Sequence, residues 1–216
     1  MRANCIRTEE NILFRKRIIF LGSSVSYGSA AGGHSFIEEL VKRDKICAVK
    51  ETVSGTTLTD TNDQSYVSRL KRMDPGLKPD LFVCQLSSND AANMLPLGKI
   101  SKNYTLDEFD TSTIVGALEY IICYVQKTWD CPVIFFTGTR FDNALYGQMV
   151  RNLISLQGKW KIGVINLWDN EEMNKTDEKS YALYMEDSIH PTLRGYREWW
   201  TPVIERDLIR EVGRFA

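Results

Sequence analysis

Short apolar runs closed by turn residues alternate along the chain with longer stretches of helical spacing. The runs are RIIFLG (17–22), ICAVKETVS (46–54), LFVCQLS (81–87), PVIFFTG (132–138) and IGVINLW (162–168). Their length and β-branched content predict five strands. Between them, the segments near 34–43, 61–73, 112–128 and 143–157 carry apolar residues at the spacing of an amphipathic helix. Where complete, the strand runs are continuously apolar, as parallel strands covered on both faces require. The alternation therefore predicts an α/β chain, a three-layer α/β/α sandwich built on a five-stranded parallel sheet.

A last helix is expected to start at Pro191, because proline suits the first helical turn, and to run through LRGYREWWTPVIERDLIREV with a disturbance at Pro202. Trp199 and Trp200 read as core and rim packing. The segment 91–110 is the one irregular insertion. No internal repeat, low-complexity tract or Pro/Ser linker divides the chain, so residues 1–216 are expected to form one domain.

Charge narrows the partners. Twenty-seven basic and 28 acidic residues leave a formal charge of -1, with no run of five like charges, so neither nucleic acid nor an anionic membrane is expected. The N-terminal stretch MRANCIRTEENILFRKR lacks the apolar core of a signal peptide, and the most apolar helical segment contains Glu119. A cytoplasmic protein without integral membrane association is the expectation. The five cysteines (Cys5, Cys47, Cys84, Cys123, Cys131) are odd in number and form no CxxC, which reads as buried free thiols in a reducing compartment.

In sheets of this kind ligands bind beyond the carboxyl ends of the strands, so the segments that follow each strand carry the candidate chemistry. After the first strand comes GSSVSYG (22–28), a tight turn that can expose a serine beside backbone N–H groups. A serine needs a base, and the chain has two histidines. His34, in GGHSFIEEL, reads as a capping or surface residue. His190, in EDSIHP, lies three residues after Asp187, a spacing that lets the carboxylate reach one ring nitrogen while the other faces a nucleophile. Gly55, after the second strand, can bring its N–H close to a substrate oxygen, and Asn89, after the third, has an amide NH₂ to donate. Each also has a plain structural reading: a turn glycine, a helix cap, a capping aspartate.

Taken in order, GSSVSYG, the Gly55 block, SSND and DSIHPTLRGY resemble the four sequence blocks of the SGNH/GDSL hydrolases over about residues 17–200. The resemblance implies a flavodoxin-like α/β/α sandwich. It also implies a Ser24–His190–Asp187 triad and an oxyanion hole of Ser24 N–H, Gly55 N–H and Asn89, with no cofactor or metal. Two positions depart from the family's usual pattern: Ser23 stands in place of an Asp and Ser87 in place of a Gly. The implied activity is hydrolysis of carboxylic esters, with a short acyl group on a carbohydrate as first choice of substrate. A lysophospholipid or thioester is the alternative.

Two rivals follow from the same residues. Ser26 in SVSYG approaches the nucleophile elbow of a different hydrolase fold, which wants Gly at position 24. A non-catalytic flavodoxin-like binding protein would use the same turn to cradle a phosphate, leaving Asp187 and His190 without a role. The polar loops 91–110 and 169–186, with Tyr104, Tyr181 and Tyr184, are expected to line a groove for a sugar.

Overall fold

The computed structural model describes residues 11–215. Five strands, β1 (Arg17–Gly22), β2 (Cys47–Thr52), β3 (Leu81–Gln85), β4 (Val133–Phe136) and β5 (Gly163–Ile165), form one parallel sheet in the order β2-β1-β3-β4-β5. Side chains alternate across it as the two-residue period dictates. Ile19, Leu21, Phe82, Cys84, Val133 and Phe135 enter one core, whereas Ile18, Phe20, Leu81, Val83, Ile134 and Phe136 enter the other. The first core is closed by α3 (Tyr66–Arg72), α5 (Ile114–Trp129) and α6 (Ala144–Trp160), and the second by α2 (Phe36–Asp44) and the C-terminal helix. The three-layer sandwich and the five strands stand as the apolar pattern implied.

The differences lie at the ends of the elements. β2 is an edge strand paired only with β1, and its residues are half-buried or exposed, so Cys47 lies at the surface, contrary to the buried-thiol reading. Cys84, Cys123 and Cys131 are buried free thiols, and Cys5 lies outside the described residues. Loop 169–186 holds two short helices, α7 (Glu171–Asn174) and α8 (Glu178–Tyr184), each capped by the side chain before it, Asn170 and Asp177. In 91–110 one 3₁₀ turn covers Leu106–Glu108.

The last helix does not begin at Pro191. Pro191 forms an antiparallel bridge with Met185, and the cap is Thr192, whose hydroxyl accepts from Gly195 N–H. The helix then runs as Leu193–Gly195 (α9), a π turn over Tyr196–Trp200 and Thr201–Gly213 (α10). Pro202 brings no N–H, and just before it the ladder widens: Thr201 N–H reaches back five residues to Tyr196 O. Trp200 is fully buried and Trp199 nearly so, as packing residues. Among the described residues no helix is long and apolar enough to cross a membrane.

The strand order fixes where a site can sit. The chain passes from β1 outward to β2, then returns to the other side of β1 for β3, which makes the carboxyl ends of β1 and β3 the switch point of the sheet. Two short helices start there, α1 (Ser24–Tyr27) and α4 (Ser88–Ala92).

Candidate active site

Ser24 is the first residue of α1, where a helix has no internal acceptor for its leading N–H groups, and it is 7% exposed. Its Oγ lies 2.8 Å from His190 Nε2, and His190 Nδ1 lies 2.7 Å from Asp187 Oδ2. The other carboxylate oxygen, Oδ1, accepts the N–H groups of Ile189 (2.7 Å) and His190 (2.8 Å). Partial burial would raise the Asp187 carboxyl, but these three hydrogen bonds and the imidazole together hold it below its ordinary value. An ionised carboxylate at Nδ1 favours the tautomer whose Nε2 accepts from the serine hydroxyl, the arrangement general-base catalysis needs.

The loop that carries Asp187 and His190 is closed at its base. Glu186 N–H donates to His190 O and Thr192 N–H to Tyr184 O, on either side of the Met185–Pro191 bridge. Gly195 lets α9 start against this base: a Cβ there would stand 1.9 Å from the Tyr184 carbonyl oxygen. Tyr196 OH then donates to Val25 O at 2.7 Å, tying the last helix to the helix that begins with Ser24. The Gly-Tyr pair that ends the late motif therefore serves packing, not chemistry.

The two further donor candidates are locked to each other. Gly55 has φ +79, a left-handed conformation that disfavours any residue with a Cβ, and the space a Cβ would enter is open. The next carbonyl, Thr56 O, accepts from Ser87 Oγ (3.1 Å) and from Asn89 Nδ2 (2.9 Å). Ser87, the departure at a usual glycine, thus points its hydroxyl at this loop and also accepts Asn89 N–H as the cap of α4. With one Nδ2–H on Thr56 O, the second has no acceptor among the described residues. Behind the loop, fully buried Asp90 accepts Leu58 N–H (2.7 Å) and Thr59 N–H (3.1 Å). Burial pushes its carboxyl up from the ordinary value, and those N–H groups offset this only in part. The plain reading of Asn89–Asp90 as a helix cap does not hold: Ser87 caps α4, and Asp90 instead holds the backbone of Leu58 and Thr59.

Ser26, the rival nucleophile, is 1% exposed and its hydroxyl is spent on Gln85 Oε1 at 2.9 Å. His34 meets Glu39 at 2.6 Å, with Arg197 on the same carboxylate oxygen, so it belongs to a side-chain tie between α2 and the last helix. Of the tyrosines expected in a groove, Tyr181 lies beside the Asp187 loop, its OH 3.5 Å from Asp187 O. Tyr184 stacks on Trp199. Tyr104 does not belong there: it packs on Trp160 at the end of α6 and shares a recess with Asp130–Val133, the entry to β4, which is the amino end of the sheet.

A narrow recess opens beside the site. Three of its lining residues, Val25, Ser88 and Ile189, are chain neighbours of Ser24, Asn89 and His190, and its apolar walls include Leu86, Phe136, Phe141 and Tyr146. It has room for about one water molecule, about 10 Å³.

A parallel three-layer α/β/α sandwich with a serine, an imidazole and a carboxylate linked in a chain at its switch point defines a hydrolase-type architecture. Residues 20–198 match the model of the GDSL-like lipase/acylhydrolase family. The chain belongs to that family, and is thus a hydrolase of ester bonds. No curated protein matches it. Among solved structures it is similar to a Lactobacillus plantarum protein at 19% identity and TM-score 0.75, covering 94% of this chain and 99% of that one. A GDSL-like lipase candidate from Bacteroides ovatus follows at 17% identity and TM-score 0.65, covering 93% and 99%. A family two carbohydrate esterase from Clostridium thermocellum, solved with cellohexaose, is similar at 14% identity and TM-score 0.61, covering 94% of this chain and 65% of that one.

Proposed function

We propose that the chain is a serine esterase that removes short acyl groups, acetyl first among them, from a carbohydrate. Ser24 Oγ attacks the ester carbonyl while His190 Nε2 takes its proton. Asp187 holds the imidazole in the required tautomer and stabilises its charge. The oxyanion forms against Ser24 N–H, Gly55 N–H and the free Nδ2–H of Asn89, and His190 returns the proton to the leaving alkoxide. Water then releases the acyl group by the same route, which needs no metal or cofactor.

The observation that carries this reading is the 2.8 Å contact between Ser24 Oγ and His190 Nε2, continued at 2.7 Å to Asp187. A binding protein that cradled a phosphate in the same turn would have no use for that chain. The acyl size rests on the recess bounded by Val25, Phe141 and Ile189, which takes a methyl-sized group. The carbohydrate rests on likeness to an esterase solved with cellohexaose and on Tyr181 beside the Asp187 loop. Placement in the cytoplasm fits the buried thiols of Cys84 and Cys123.

The test is hydrolysis of p-nitrophenyl acetate, butyrate and octanoate by wild type and Ser24→Ala, with fluorophosphonate labelling in parallel. Turnover of acetate ahead of octanoate, with both turnover and labelling lost in Ser24→Ala, is expected. A wild type that neither turns over nor labels would overturn the reading. Preference for octanoate would move the substrate to the lysophospholipid or thioester class.

A further inference from the structure

The turn that presents Ser24 is held from behind by a side chain that the esterase mechanism leaves unused. Gln85, the last residue of β3, is 2% exposed. Its Oε1 accepts Ser23 N–H at 3.1 Å, Ser26 N–H at 3.0 Å and Ser26 Oγ–H at 2.9 Å, while its Nε2 donates to Ser23 Oγ at 3.1 Å. Ser23 and Ser26 are buried, so no water can replace these bonds. The packing is close on the strand side as well: a Cβ on Gly22 would stand 2.3 Å from Ser26 Oγ and 3.1 Å from Gln85 Oε1.

We propose that Gln85 is a positioning residue for the nucleophile. Its carboxamide fixes the first turn of α1, and through it the direction of both Ser24 Oγ and the Ser24 N–H. The proposal rests on Ser24 being the nucleophile. Position 23 has no carboxylate to anchor the turn, and β3 is the neighbour of β1 at the switch point, so its last side chain is the one placed to reach across. An uncharged group suits the place. It offers an acceptor to three converging donors, yet puts no negative charge beside the N–H that meets the developing oxyanion. A turn loosened by a fraction of an ångström misaims the hydroxyl and the oxyanion donor together, and such misplacement costs on the order of 10²-fold in rate.

The experiment compares wild type, Gln85→Leu and Gln85→Glu by kcat and KM on p-nitrophenyl acetate across pH, fluorophosphonate labelling rate and thermal melting. Gln85→Leu, folded, is expected to lose about 10²-fold in kcat and in labelling rate, with KM within about threefold. Gln85→Glu keeps an acceptor but introduces a carboxyl whose ionised form opposes the oxyanion. Its kcat relative to wild type is expected to fall as pH rises, which reads how close position 85 lies to the oxyanion donor. A folded Gln85→Leu with kcat and labelling within about threefold of wild type overturns the proposal. So does a Gln85→Leu that fails to fold together with a Gln85→Glu whose pH profile runs parallel to wild type. A wild type without turnover or labelling removes the Ser24 reading itself, a result distinct from either of these.

Discussion

His190 Nε2 and Ser24 Oγ lie 2.8 Å apart although 166 residues separate them in the chain. One sits on a loop closed by the Met185–Pro191 bridge, the other at the head of a four-residue helix, and the Tyr196–Val25 bond joins the two supports. Groups that act as one unit lose their function together. Ser24→Ala and His190→Ala are each expected to lower kcat by about 10⁴-fold or more, and the double variant to be no worse than either single one. Single-turnover and steady-state rates on p-nitrophenyl acetate check this. Multiplying losses would show that the two residues do not share a step.

The two proposed oxyanion donors beyond Ser24, Asn89 and Gly55, separate chemistry from backbone conformation. Asn89→Ala is expected to cost about 10²–10³-fold in kcat with little change in KM, because the donor matters only once charge develops. Gly55→Ala meets no clash, since nothing lies within 4 Å of the added Cβ, yet it forces alanine to φ +79. A stability loss of about 1–2 kcal/mol is expected from that conformation, read by denaturant unfolding. An unchanged midpoint would mean that the loop relaxes to another turn.

The sequence made the sheet legible because its apolar runs are long relative to the turns, and strand alternation then sorts Ile18 from Ile19 into opposite cores. That Ser24, Asp187 and His190 meet in space could be anticipated, because only two histidines exist, one has an aspartate three residues before it, and the four blocks resemble those of one family. What lay outside sequence reasoning depends on adjacency in space. Gln85 reads as the polar end of LFVCQLS, and its function comes from β3 lying beside β1. Tyr104 reads as a groove residue, and the course of 91–110 carries it to the amino end of the sheet. Pro191 suits a helix start, but Thr192, one residue later, supplies the hydroxyl that caps it. Short helices α7 and α8 had cues in Asn170 and Asp177, each too local to outweigh a polar stretch.

On the proposed placement of the acyl group in the recess beside Ser24, its walls set the acyl selectivity. Phe141 and Ile189 face it together with Tyr146, and with space for only about one water molecule a butyryl chain must displace a wall. Phe141→Ala or Ile189→Ala is expected to raise the butyrate-to-acetate ratio of kcat/KM by about tenfold, on the scale of one to two methylenes accommodated. A ratio unchanged in both variants would place the acyl chain elsewhere.

Asp187 is one of the carboxylates that make stability depend on pH. Its carboxyl is held below the ordinary value in the folded chain, so it contributes stability that is present above the unfolded carboxylate pKa of about 3.9 and is lost as pH falls through the lower folded value. Wild type is expected to melt above Asp187→Asn at neutral pH, with the gap closing below about pH 4. Melting curves of both proteins between pH 7 and pH 3 read it. A gap that widens on acidification would reverse the sign of the coupling.

Tyr196 tests whether the two halves of the site depend on one buried bond. Its hydroxyl is fully buried, burial pushes its ionisation far up, and its partner is the main-chain carbonyl of Val25 at 2.7 Å. Tyr196→Phe keeps the ring that packs on Trp200 but leaves that carbonyl without its donor. Loss of a buried neutral hydrogen bond costs about 1–2 kcal/mol, so a lower unfolding midpoint at unchanged denaturant slope is expected. Val25 directly follows Ser24, and a loosened carbonyl there shifts the start of α1 relative to His190. A several-fold fall in kcat should therefore accompany the lost stability, with KM held. If stability falls and kcat does not, the Asp187–His190 loop is aligned by its own base bridge, and the last helix serves the site only as packing.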